Sequence, residues 1–162
     1  MKSFLSIDPN HKNFFVGINN KGESIEFEKI TQIQYFDKVI DEIKSKRDKC
    51  KKGSKRWKRL NRAIDKTYHK RQEQIKSMCY SVSNYIARNY DCVLIGDYTP
   101  SLETAKYEMM HRSMLNQTKI GKFRTILEWV MIRSGKQFKL VDEHETTNYV
   151  LYVVIVKRRI HR

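Results

Sequence analysis

Cys92-Val93-Leu94-Ile95-Gly96-Asp97 is an apolar run too short for a helix, closed by a glycine and a carboxylate. Consecutive apolar residues without polar alternation suit a strand buried on both faces, and such strands run parallel to their neighbours. A parallel strand needs a distant partner in the chain and helices to cover it. The run therefore predicts an α/β domain rather than an all-β or all-helical one.

Upstream, Ser3 to Asp8 and Asn13 to Ile18 read as strands. Asn19-Asn20-Lys21-Gly22 supplies turn chemistry, and Glu23 to Glu28 alternates polar and apolar residues with Ile25 and Phe27 on one face. These three strands form an antiparallel meander beginning at residue 1. From Thr31 the period changes, with Ile33, Phe36, Ile40 and Ile43 at helical spacing. Gly53 breaks the pattern, and Ser54 is an N-cap for a second helix from about Lys55 to Arg88. Its apolar stripe holds Trp57, Leu60, Ile64, Tyr68, Ile75, Met78, Val82 and Tyr85, with Arg71 standing where another apolar residue is expected. The two helices make a hairpin over residues 31–89.

Downstream, residues 101–120 are polar and Met-rich, a loop and short helix near a binding surface. Phe123, Ile126, Leu127, Val130 and Met131 mark a further helix closed by Gly135, and Phe138 to Val141 a fifth strand. The order is three strands, a helical hairpin, a strand, a helix and a strand, which predicts a mixed sheet.

Charge narrows the function. The 162 residues carry 33 Lys+Arg against 18 Asp+Glu, a formal net charge of +15 with a pI near 9.8. Such an excess repels itself and calls for a polyanionic partner. It is also clustered: Lys44 to Arg71 holds 14 Lys or Arg, with only Asp48 and Asp65 as acids. A solvated helix face mixes signs and this one scarcely does, so Lys51, Lys52, Lys55, Arg56, Lys58, Arg59, Arg62, Lys66, Lys70 and Arg71 are the expected phosphate contacts. Cys50, Cys79 and Cys92 are scattered without zinc-ligand spacing, as in a reducing compartment. The start of the chain is too short for a signal peptide. The longest apolar run, Tyr149 to Val156, is far below the roughly 20 residues of a membrane span. A soluble intracellular protein with no membrane partner is expected.

The carboxylates stand where strands end. Asp8 ends the first strand, Asp97 follows the fourth, and Asp142 and Glu143 follow the fifth. Neighbouring strand ends form the reactive edge of an open α/β sheet. Acidic oxygens converging there suit Mg²⁺, a hard cation that activates water in phosphodiester cleavage. A strand-terminal Asp is also a common turn residue or cap, and spacing alone does not decide between the two.

Several segments, taken in order, are similar to one family. Ser6-Ile7-Asp8-Pro9-Asn10-His11-Lys12-Asn13-Phe14 resembles the first RuvC motif of the TnpB/OrfB family, whose eukaryotic and giant-virus relatives are called Fanzors. Lys51-Lys52-Gly53-Ser54-Lys55-Arg56-Trp57 resembles its basic hairpin, and Val93-Leu94-Ile95-Gly96-Asp97 its second RuvC strand. Gly121-Lys122-Phe123-Arg124 through Val141-Asp142-Glu143-His144-Glu145-Thr146-Thr147 resembles the approach to its zinc ribbon. The resemblance implies a ribonuclease-H-like (RuvC-like) core over residues 1–147. It also implies RNA-guided, Mg²⁺-dependent DNA cleavage within a transposable element, with DNA and a guide-type RNA as partners.

The first family acid carries over to Asp8. Many members have a Glu where this chain has Gly96. A subset, Fanzors included, uses a Glu after the next strand, where Glu143 stands. The expected catalytic residues are Asp8 and Glu143, both metal-holding, with Asp97 as the fallback. The third acid follows a zinc ribbon in the family, but beyond Glu145 this chain has no Asp, Glu or Cys. The zinc ligands are thus absent, and a catalytically incomplete protein is expected. The alternative is a non-enzymatic nucleic-acid-binding protein repurposed from a transposon. Tyr149-Val150 and Tyr152-Val153 lie three residues apart. With TAT codons for Tyr, the frame starting one base before each Val codon reads Cys-x-x-Cys. Residues 148–162 are therefore expected to be a frameshifted ribbon, the alternative being a true sixth strand, Tyr149 to Val156, with a basic end, Lys157 to Arg162.

Overall fold

The computed structural model describes residues 3–9, 14–27, 31–97 and 119–141. They form five strands, β1 (Phe4–Pro9), β2 (Phe15–Asn19), β3 (Ser24–Phe27), β4 (Cys92–Gly96) and β5 (Gln137–Val141). Three helices accompany them, α1 (Thr31–Asp48), α2 (Lys55–Asn89) and α3 (Ile120–Arg133). The sheet order is β3-β2-β1-β4-β5. The meander β1–β3 is antiparallel, whereas β4 lies parallel to both β1 and β5. The mixed sheet and the hairpin after the third strand are as the sequence led us to expect.

Each element has a local cause. Asn19 turns the hairpin between β2 and β3: its side-chain carbonyl accepts from the backbone N–H groups of Lys21 (2.9 Å) and Glu23 (3.0 Å). Gly22 there sits at φ +82°, a region open to glycine at no steric cost. The Ser54 hydroxyl accepts from the Trp57 N–H at 3.2 Å, the N-cap expected for α2. Gly17 permits close strand approach, since a Cβ there would meet a Leu5 methyl at 2.9 Å.

Leu5, Ile7, Val93 and Ile95 point to one side of the sheet and join Ile75, Met78, Cys79, Ile86, Phe123, Leu127, Val130 and Met131 in one buried core. Each such side chain contributes about 1.5–3 kcal/mol relative to exposure. Phe14, Phe15 and Phe123 meet at its edge with ring centroids 4.7–5.3 Å apart. Only the C-terminal half of α2 enters this core. Ile64 and Ile40 are buried apart from it, so among the described residues the first half of α2 rests on α1 and the pair forms an arm.

Two expectations change. Tyr68 and Tyr85, placed in the apolar stripe of α2, are exposed. Tyr68 accepts from Lys44 Nζ at 2.9 Å and the Tyr85 ring meets Phe27 edge-on, because each phenol can be partly buried with its hydroxyl wet. Most of 101–120 and all of 142–162, including the expected frameshifted tail, lie outside the described residues.

Candidate nucleic-acid interface

The basic residues of the hairpin divide by helical geometry. Lys51, Lys52, Lys55, Arg56, Lys58, Arg59, Lys66, Lys70 and Arg62 are all exposed. None of them forms an ion pair with a described residue. Lys55, Arg56 and Lys58 occupy the first turn of α2, which holds no acid. Cations there oppose the helix dipole, each at a cost of about 0.3–1 kcal/mol, which a bound anion would reverse.

Arg71 departs from the expectation. It is 7% exposed and donates through Nε to Asp37 on α1 at 2.8 Å. It is committed to holding α1 against α2 and is not available as a phosphate contact. Its place in the apolar stripe was the sequence signal for burial. What was missed is the acid on the facing helix that a buried guanidinium demands. Arg47 on α1 was missed too: it reaches α2, its guanidinium 5.9 Å from the Trp57 ring centroid and hydrogen-bonded to Asn61 at 3.2 Å.

Asp8 stands on the opposite side of the sheet. With Leu5 and Ile7 facing the core, strand alternation puts Ser6 and Asp8 on the other face. Ile7 is paired with Ile95, so Asp8 and Gly96 come next on neighbouring parallel strands, and Asp97 follows. The Asp97 N–H donates to the Val141 carbonyl at 3.0 Å. Chain ends of β1, β4 and β5 thus lie side by side. Asp8 is open by surface area, yet atoms packed around it withdraw water and hold its carboxyl above the usual pKa. Glu143 lies outside the described residues.

Carboxylates at adjacent strand ends are the donor type that Mg²⁺ takes. In number they fall short: among the described residues no group of three His, Cys, Asp or Glu could hold a metal ion. Nor is any described helix long and apolar enough to cross a membrane.

A family model, OrfB_IS605, described as "Probable transposase", matches residues 1–99. The fold is similar to a chain in a cryo-EM structure of a Cas12f1-sgRNA-target DNA complex, with a TM-score of 0.54 and 13% sequence identity. That likeness covers 89% of this chain and 29% of the other, and it shows the fold, a RuvC-like mixed sheet carrying a long helix. No curated protein matches.

Proposed function

The chain belongs to the OrfB_IS605 family, and from that premise we propose that it is a nucleic-acid-binding, TnpB-like protein built on the plan of an RNA-guided DNA endonuclease. Its partners on this reading are DNA and a guide-type RNA. The observation that carries the reading is the exposed basic face of the hairpin, whose cations have no acidic partners among the described residues. Cations that neutralise phosphates release condensed counterions, so binding falls steeply with salt.

Asp8 and Glu143, with Asp97 as fallback, are the proposed catalytic and Mg²⁺-holding residues. The ion would supply an activated water and charge stabilisation at the leaving oxygen. Asp8 would enter with a carboxyl already partly desolvated, a state in which its negative charge is stabilised by a cation more than by water. Beyond Glu145 these 162 residues offer no further acid and no Cys. Cleavage by these residues alone is therefore not expected.

A second reading is a non-enzymatic nucleic-acid binder, which needs only the exposed basic face of the hairpin. A cleavage assay with and without Mg²⁺, run beside Asp8→Ala and Glu143→Ala, separates the two. Cleavage lost in both variants would overturn catalytic incompleteness. Binding without cleavage in all three proteins is the expected result.

A further inference from the structure

The cations of α2 are not scattered over its exposed surface. Lys55, Arg59, Arg62, Lys66 and Lys70 follow one another at steps of four, three, four and four residues. At about 3.6 residues per turn they fall within an arc of roughly 80° and extend over about 22 Å. All five are exposed, and none forms an ion pair with a described residue. The arc lies opposite Leu60, Ile64, Arg71 and Ile75, the side of α2 that packs inward.

Two features give the stripe a shape. It stops at Glu73, next on the same arc, just before Ile75 joins the main core. The unbroken run of cations is thus confined to the projecting arm, and the half of α2 fixed to the sheet carries only Lys76 and Arg88. Moreover, no Phe, Trp or Tyr occupies the arc. Trp57 is half-buried beneath Arg47, and Tyr68 is bonded to Lys44, both on the α1 side.

These features bear on which nucleic acid is held. Proteins that hold single strands pair a basic groove with aromatic side chains on which bases stack. A duplex hides its base faces and offers phosphates along a stiff path, about six per strand over 22 Å. A straight row of five cations without aromatics suits the second and offers nothing to the first. Cations engaged on phosphates position the duplex without specifying its sequence.

We infer that the Lys55–Arg59–Arg62–Lys66–Lys70 stripe is a rail for the phosphate backbone of a double helix, gripping it without regard to sequence. The inference rests on the nucleic-acid reading above and assigns that reading its substrate class and its surface.

The experiment measures binding of the full chain to three fluorescent probes: a short mixed-sequence DNA duplex, a duplex of shuffled sequence, and one unpaired strand of the first. Salt is varied for each. The variant is Arg59→Gln/Arg62→Gln/Lys66→Gln, and the control is Lys76→Gln/Arg88→Gln on the same helix beyond the stripe. Circular dichroism and melting of every protein check that it is folded. Both duplexes are expected to bind alike and more tightly than the strand. The triple variant should flatten the log K against log salt slope on duplex by about 2.7, three contacts at about 0.9 each, with the control unchanged. Tighter binding to the unpaired strand overturns the duplex assignment. An equal slope in the triple variant, or an equal loss in the control, overturns the stripe while nucleic-acid binding stands. No binding to any probe overturns the rail and, with it, the DNA-binding part of the reading above.

Discussion

Arg71 on α2 and Asp37 on α1 meet at 2.8 Å across 34 residues of chain, the guanidinium almost wholly enclosed and the carboxylate about one-third exposed. The asymmetry sets the cost of breaking them. Without Asp37 the enclosed arginine loses this carboxylate, whereas without Arg71 the carboxylate can turn to water. Asp37→Ala should therefore lose about 2–3 kcal/mol of stability, and Arg71→Met distinctly less. Urea denaturation of both variants checks the order. Because Arg71 faces inward, Arg71→Met should leave the salt dependence of duplex binding as it is.

Asp8 ties the acidic strand end to stability. Burial raises its carboxyl pKa in the folded chain above the unfolded value. Its ionised form therefore costs stability above that raised pKa, and the cost disappears as pH falls below the unfolded value. Asp8→Asn should melt higher than the parent at neutral pH, with the difference shrinking toward acid. A lower melting point at neutral pH would mean that the carboxylate is held by contacts that outweigh its desolvation.

Asp91 has the opposite sign. Its carboxylate accepts from the Ser3 N–H (3.0 Å) and the Ser3 hydroxyl (2.9 Å), and Lys136 lies 3.5 Å away. These hydrogen bonds, with Ser3's backbone the largest cause, hold its pKa below the usual range. The stability it contributes is present above the unfolded pKa and lost as pH falls through the depressed folded one. Asp91→Asn should lower the melting temperature at neutral pH, and the deficit should close in strong acid. Thermal melts across pH in the two variants should thus diverge in opposite directions.

Lys119, before α3, sits at φ 52°, ψ 50° with no side-chain cap bond. A side chain in the left-handed region costs about 1–2 kcal/mol, which glycine avoids at some expense in unfolded-state entropy. Lys119→Gly should raise stability by up to about 1 kcal/mol, read by chemical denaturation.

Much of this architecture could be read from residue order. Cys92–Ile95 required a parallel partner, and Asn19–Gly22 and Ser54 had turn and cap chemistry whose geometry is local. The expected catalytic set is only partly placed: Asp8 and Asp97 lie at neighbouring strand ends, while Glu143 is outside the described residues. What local pattern could not supply was pairing between distant elements. Arg71 stood out in an apolar stripe, but Asp37, Asp41 and Glu42 were all available on the facing helix. Tyr68 and Tyr85 kept helical period yet stayed exposed, since spacing assigns a side and not a depth.

The bond from Ser3 to Asp91 spans 88 residues, and this has a consequence for the growing chain. At about 5–20 residues per second, β1 leaves the ribosome roughly 4–18 s before β4 can lie beside it. The β1–β3 meander can close at once, but its Leu5 and Ile7 must wait with an unfilled edge. The arm is made in that interval, so its basic face can meet a nucleic acid before the sheet beneath it is finished.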